Sequence, residues 1–507
     1  MNLTNILPQA IRSHQEKKAV VCKGKEFTYK QFGYRVGKLA NALLKFGIVK
    51  SNKVAMLHKN CHYFLESYFG VMQTGAALVP LNHYLSANEL TFILKDSETG
   101  LIIADSNFSK KVNDAIHGTE QDIKIIWTRE DYESFIATAD STLPSVDIEE
   151  EDTAQIYYTS GTIGKSKGVV LSHKNVYSHA LCTIDELRLK DTDIWLHAAP
   201  LFHLADAWAT WAITLVGGSH VMVSDFDPKK VCESIEKQKV TLTNLVPTMY
   251  YRLVNSPEVD KYNYSSLRVL MSGGAPISPH LVKRIIETFK CDYIQTYGMT
   301  ETSPFLTMSI LKDHLRSLPH EEQLRYKSTT GRKFKGVELK VVNEKGEEVN
   351  PNNIEVGEII VTGDSITKGY WKLPQETEKV FKNGWLYTGD MAVINEEGYV
   401  TIVDRKDDMI ITGGENVYSI EVENVLYTHS AVLEAAVIGV PDEEWGEIVK
   451  AIVVLKGGEK ATEKEIIEFC KERIAAYKVP KIVEFQESLP KLGSGKICKK
   501  MLKKKYC

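Results

Sequence analysis

The residues Gln155 to Tyr158 form a short apolar, strand-like run that passes straight into Thr159-Ser160-Gly161-Thr162-Ile163-Gly164-Lys165-Ser166-Lys167-Gly168, a loop of small, hydroxylated and cationic residues. Glycines let backbone N–H groups approach an anion closely, hydroxyls add donors and lysines add charge, so a loop of this make-up suits a triphosphate. The plain alternative is a Ser/Gly surface turn. Gly164-Lys165-Ser166 matches the end of the Walker A pattern, but Thr159 stands where that pattern needs its first glycine. The loop also continues into Lys167-Gly168, so the Walker reading is set aside.

The rest of the chain repeats the strand-then-helix alternation. Phe32, Val36, Leu39, Leu43 and Phe46 recur at helical spacing, and strand-like runs fall at 53–57, 101–104, 220–224, 241–246, 268–271 and 292–295, with a helical pattern at 279–289. This predicts an α/β fold, with a large amino-terminal domain of layered, mostly parallel sheets. From Gly331 the runs 337–342, 358–362 and 398–403 follow one another with turns and little helix, which predicts a small β-rich subdomain over 331–403. After the charged stretch Arg405-Lys406-Asp407-Asp408 comes a unit with its own βαβ-like pattern, including a capping box at Thr462 and Glu465. The expected division is 1–403 for the large domain and 404–507 for a small, mobile α+β carboxyl-terminal domain.

At 507 residues, 43% hydrophobic and 25% charged, with a formal charge of -4, the composition fits a globular protein and offers nothing to nucleic acid. Eight scattered cysteines without a C-x-x-C pair point to reduced thiols and a cytoplasmic setting. The apolar run 207–216 is too short for an integral membrane span, which needs about 20 residues, and reads as buried core.

Six further segments follow the loop in order: Pro200-Leu201-Phe202-His203, Ser272-Gly273-Gly274-Ala275-Pro276, Tyr297-Gly298-Met299-Thr300-Glu301, Tyr387-Thr388-Gly389-Asp390, Asp404-Arg405-Lys406-Asp407 and Gly493-Ser494-Gly495-Lys496. Together with the loop they resemble the motifs of the adenylate-forming superfamily, which contains acyl-CoA synthetases, peptide-synthetase adenylation domains and luciferase; the likeness is greatest to fatty-acyl-CoA synthetases. The ordered set spans residues 157 to 496. Two departures stand in the loop, Ile163 for a usual hydroxylated residue and Ser166 for a usual proline.

The resemblance implies a ligase that uses ATP, magnesium and coenzyme A. Thr159, Ser160, Gly161, Thr162, Gly164 and Lys167 would cradle phosphates, and Gly274, Ala275, Pro276, Tyr297 and Gly298 would meet the adenine. Thr300 would contact the α-phosphate, while Glu301, with Thr159, would hold the metal. Asp390 and Arg405 would bind ribose, His203, Trp208 and Gly298 would line the acid pocket, and Gly413 and Gly414 would border the coenzyme A path. Asp407 would be the hinge that carries Lys496 to the reaction.

Each residue also has a plain reading. Two carboxylate oxygens suit Asp390 to a pair of ribose hydroxyls, but Thr-Gly-Asp is a common turn. The planar fork of Arg405 suits ribose or phosphate oxygens, and equally a surface ion pair with Asp404 or Asp407. His203 is placed at the end of a strand, beside Trp208 and Trp211, an aromatic stripe that is acyl pocket or plain core. Lys496 is one of seven lysines, with no acids, between Lys491 and Cys507; its glycine-rich turn sets it apart.

The expected reaction is activation of a carboxylic acid, by preference a medium or long fatty acid, to acyl-adenylate, followed by transfer to coenzyme A. The rivals are an adenylation enzyme that loads a carrier protein and a non-catalytic nucleotide-binding regulator. The expected partners are the small-molecule acid and coenzyme A, and a second copy in a homodimer is compatible with them.

Overall fold

The computed structural model describes residues 2–159, 166–491 and 497–506. Its contacts group the chain into two compact units, residues 1–338 with 362–384, and residues 339–361 with 385–507.

The larger unit carries two sheets. In one, the strands Lys18–Cys22, Ser219–Met222, Ile194–His197, Leu242–Leu245, Val269–Ser272 and Asp292–Gly298 lie side by side and parallel. Phe305–Met308 and Gly331–Lys333 continue it antiparallel. In the other, Lys124–Trp127, Leu101–Ala104, Lys53–Leu57, Ala77–Pro80 and Thr153–Thr159 are parallel, and Lys167–Ser172 closes it as an antiparallel hairpin partner. Parallel strands buried on both faces need apolar runs, which is why 53–57 and 101–104 are legible without alternation. Helices cover them. Tyr29–Lys45 buries the Phe32, Val36, Leu39 and Leu43 stripe and starts with a capping box between Thr28 and Gln31.

In the smaller unit, Gly357–Gly363, Trp385–Ile394 and Tyr399–Arg405 form antiparallel pairs. A second sheet orders Glu415–Val417, Ile410–Thr412, Gly446–Leu455 and Val432–Asp442, with Ile482–Phe485 parallel to Gly446–Leu455. One face of it packs Val422, Leu426, Ile466 and Cys470 from two helices, and the other face packs Leu489 and Leu502. The Thr462–Glu465 capping box starts the helix Glu463–Lys471.

The seven described cysteines are free. The run 207–216 is core, inside the buried helix Leu204–Leu215. No described helix is long and apolar enough to cross a membrane.

Candidate active site

In the larger unit, the hairpin sets Thr159 opposite Lys167 and Tyr158 opposite Gly168, at the two feet of the phosphate-type loop. Ser160, Gly161, Thr162 and Gly164 lie outside the described residues, as does Lys496. Lys167 Nζ lies 2.6 Å from Glu376 Oε2 and 5.1 Å from the Tyr370 ring centre. The lysine, with Lys379 behind it, holds the Glu376 carboxyl down at about 2. A phosphate oxygen that takes the Lys167 ammonium competes with this carboxylate.

Tyr370 donates its hydroxyl to Glu301 Oε1 at 2.9 Å, and the Thr367 N–H donates to the Glu301 carbonyl at 2.8 Å. The Thr367 hydroxyl bonds to the Val170 carbonyl in the hairpin itself. Glu301, 7% exposed on the turn Thr300–Thr302, is thus fixed at both backbone and side chain by the segment that also braces the loop. Among the described residues no group of three or more His, Cys, Asp or Glu could hold a metal. One carboxylate with neighbouring hydroxyls still fits magnesium, which keeps waters and takes much of its coordination from phosphate oxygens.

The parallel strands Val269–Ser272 and Asp292–Gly298 run in register with Ser272 opposite Gln295, so their carboxyl ends deliver Gly273–Pro276 and Tyr297–Gly298 side by side. Loops at the carboxyl ends of parallel strands are where open α/β sheets bind ligands. Close approach dictates the glycines. A Cβ on Gly273 would sit 2.4 Å from Thr296 Oγ1, and one on Gly298 would sit 1.8 Å from the Pro304 carbonyl oxygen. Gly274 has φ +81°, and the Ala275 carbonyl accepts from Gln295 Nε2 at 3.1 Å.

His203 corrects the sequence reading. It does not end a strand: Ile194–His197 stops earlier, and His203 is the N-cap residue of the helix Leu204–Leu215. The Trp208 ring on that helix is 1% exposed and packs at 4.8 Å on Trp195 and 5.2 Å on Phe305. Phe305 is the strand partner of Gly298, so Trp208 and Gly298 meet through it. Trp211 packs away from this group, against Tyr68 and Phe69.

A buried polar ladder fixes the helix to its sheet. Asp206 Oδ2 lies 2.6 Å from His197 Nδ1, His197 Nε2 lies 3.0 Å from His220 Nδ1, and His220 Nε2 lies 2.9 Å from Thr214 Oγ1. Burial raises the Asp206 carboxyl, and His197 draws it back. Both ends of the helix are thereby tied to adjacent strands. A cavity of about 620 Å³ beside Arg12, Lys30 and Tyr34 is lined by none of the candidate residues.

In the smaller unit, register places Asp390 directly opposite Arg405, and Arg405 Nε lies 2.7 Å from Asp390 Oδ1. The arginine therefore pairs with the other ribose candidate. Gly413 and Gly414 form the turn of the hairpin Ile410–Thr412/Glu415–Val417, with φ of +57° and +84°. A Cβ on Gly413 would meet the Trp445 ring at 2.7 Å, and the Gly413 N–H donates to the Trp445 carbonyl at 2.8 Å.

Residues 7–371 match the model of the AMP-binding enzyme family, and residues 421–496 match the AMP-binding enzyme C-terminal domain. The chain belongs to the AMP-binding enzyme family. Within it the chain falls among acyl-CoA ligases. It is 36% identical over 484 residues to a feruloyl-CoA synthase of an Amycolatopsis species, covering 95% of this chain and 94% of that one. It is 35% identical over 492 residues to a long-chain-fatty-acid–CoA ligase of Mycobacterium tuberculosis, covering 94% and 93%. Its fold matches the solved o-succinylbenzoate coenzyme A synthetase of Bacillus subtilis in complex with ATP and magnesium ion, with TM-score 0.86, 29% identity and 99% coverage of both chains.

Several residues of this AMP-binding enzyme that shape the candidate site escaped the sequence reading: Thr367, Tyr370 and Glu376 around Glu301 and Lys167, and Trp445 over Gly413. The one available signal for the first group was Gly369-Tyr370-Trp371, a glycine before two aromatics between strands.

Proposed function

We propose that the chain is an AMP-forming acid–thiol ligase that activates a medium or long fatty acid with MgATP and passes the acyl group to coenzyme A. The observation that carries this reading is Glu301, a carboxylate held at side chain and backbone by Tyr370 and Thr367 beside the foot of the phosphate loop. A preorganised carboxylate next to phosphate donors is what charge development on a departing pyrophosphate calls for. Magnesium, when bound there, would spread that charge over the phosphate oxygens.

In this reading Thr159, Thr300 and the loop from Ser160 to Gly168 position the phosphates, and Lys167 exchanges Glu376 for a phosphate oxygen. Gly274, Ala275, Pro276, Tyr297 and Gly298 form the adenine side, and Asp390 with Arg405 takes the ribose. His203 at the helix N-cap meets the acid's carboxylate, with Gly298 and the Trp208–Phe305 pair behind it. The acid attacks the α-phosphorus, the bond to pyrophosphate breaks, and the Lys496 ammonium bridges the approaching anions. The 404–507 domain then turns about Asp407, withdrawing Lys496 and bringing Gly413 and Gly414 to the thiol's path, so that one site serves two steps.

Pyrophosphate release over saturated acids of graded length and ferulate, with and without coenzyme A, tests the reading. Release without coenzyme A, thioester with it, and highest kcat/KM for medium or long chains are expected. Preference for ferulate would move the substrate to aryl acids, as the feruloyl-CoA synthase relative favours. No release with any acid would overturn the reaction class. Replacing Lys496 with alanine should abolish adenylate formation yet spare thioester formation from supplied acyl-adenylate.

A further inference from the structure

The last helix of the chain, Lys499–Tyr506, reaches back to the segment that serves as pivot in the ligase reading, on which this inference rests. Lys503 Nζ donates to the Asp407 carbonyl oxygen at 2.7 Å and lies 3.1 Å from the Asp408 carboxylate. One turn earlier, Lys499 Nζ lies 2.7 Å from Glu423 Oε1 and 2.5 Å from Ser419 Oγ. The Ser419 hydroxyl in turn donates to Asp404 Oδ1 at 2.9 Å, and its N–H donates to Asp404 Oδ2. Asp404 is 1% exposed near the end of the strand Tyr399–Arg405.

The contacts to Asp404 straddle the pivot. Asp404 precedes Asp407, whereas Ser419, Glu423, Lys499 and Lys503 follow it. The helix itself is seated firmly on the following side, where Leu502, 2% exposed, packs with Ala436, Ile438, Val454 and Leu489. A swing about the Asp407 backbone separates atoms on its two sides, and hydrogen bonds near 3 Å do not survive such a separation. The Asp407 carbonyl shares a rigid peptide plane with Asp408 and turns with the following side, so it keeps Lys503. Burial lowers the Lys499 ammonium's affinity for its proton, but Glu423 and Asp404 more than restore it, so the cation stays between the two carboxylates.

We propose that the Lys499–Ser419–Asp404 relay forms a clasp that holds one setting of the Asp407 pivot, and that these positioning residues set the balance between the two half-reactions. Lys499 is a poor first target, because its loss leaves Glu423 enclosed without its cation. Ser419, which makes both bonds to Asp404 across the pivot, is a better one.

The test uses the full chain with Ser419→Ala and, separately, Asp404→Asn. Pyrophosphate release from acid and ATP without coenzyme A is measured apart from thioester formation from supplied acyl-adenylate and coenzyme A. The ratio of the two rates should move by about three- to tenfold in each variant, one rate falling while the other holds or rises. Lys503→Met, which loses only bonds on the following side, should leave it unchanged, and an equal shift there overturns the assignment to the contacts that cross the pivot. Equal loss in both half-reactions, or an unchanged ratio, in both variants overturns the clasp and leaves the ligase reading standing. A wild-type chain that releases no pyrophosphate with any acid overturns that reading and the clasp with it.

Discussion

The two units of this AMP-binding enzyme differ in the histidines they bury. Thirteen of the fourteen histidines lie in the larger unit, and many are enclosed by apolar neighbours. Burial holds His62 and His179 at about 3, and His83 and His173 at about 4. The smaller unit has a single histidine, His429, and instead encloses Asp404 and Glu423 around Lys499, with burial raising both carboxyls. The larger unit keeps these imidazoles neutral, whereas the smaller one encloses a cation between two carboxylates.

The largest expected consequence is a divided response to acid. An unfolded histidine takes up a proton near 6.5, whereas these four refuse it until about 3 or 4, so the unfolded state binds more protons and stability falls as pH drops. Each contributes on the order of 1.4 kcal/mol of lost stability per pH unit across that window. Asp404 and Glu423 have the opposite sign, since their raised folded values let the native state take the proton first, and stability grows as pH falls into their range. From pH 7 to pH 5 the larger unit should therefore lose about 2 kcal/mol per buried histidine while the smaller unit loses none. Region-resolved hydrogen exchange reads the two separately; parallel loss of protection in both would break the contrast.

The next effect concerns chemistry. Glu301→Gln keeps an acceptor for Tyr370 but removes the charge, and should lower adenylate formation by about 10²- to 10³-fold. Thioester formation from supplied acyl-adenylate should change far less. Comparable losses in both steps would mean that Glu301 supports the fold of the site and not the departure of pyrophosphate.

What the sequence reveals of all this divides by distance along the chain. Strands, helix stripes and the Thr462 capping box are local patterns, and the mostly parallel sheets follow from their alternation. The partners of the site residues are not local. Tyr370 lies 69 residues from Glu301, and Glu376 lies 209 from Lys167. Arg405 offers Asp404 and Asp407 as neighbours, yet strand register hands it Asp390. His203 reads as a strand end because Pro200 to Phe202 is apolar, but those residues are a buried connection that ends in a helix cap. Trp208 reads equally as pocket or core, because periodicity gives a face and not what lies against it. The Lys499 cluster is invisible to spacing, and lysine content alone makes its helix look like a solvated tail.

A smaller contrast separates the glycines of the two units. Gly298→Ala drives a methyl into the Pro304 backbone carbonyl, which cannot move without the strand pair. It should cost about 3 kcal/mol or more in chemical denaturation. Gly413→Ala meets the Trp445 ring, 46% exposed and free to shift, and adds left-handed strain of about 1 to 2 kcal/mol. A larger loss at Gly413 would reverse the view that the larger unit is the tighter one.

The smallest effect tests whether Lys167 is held in reserve. Glu376→Gln weakens the hold on the ammonium that a phosphate oxygen must displace, so ATP affinity should rise by about two- to fivefold, read by titration calorimetry. The carboxyl sits at about 2, below its ordinary 4.5, so the ion pair is complete above that ordinary value and is lost only as pH falls toward 2. The gain should therefore be the same at pH 6 and pH 8. Weaker ATP binding in the variant would show that Glu376 orients Lys167 toward the loop instead of competing for it, and would make the larger unit's phosphate corner a fixed device down to its last ion pair.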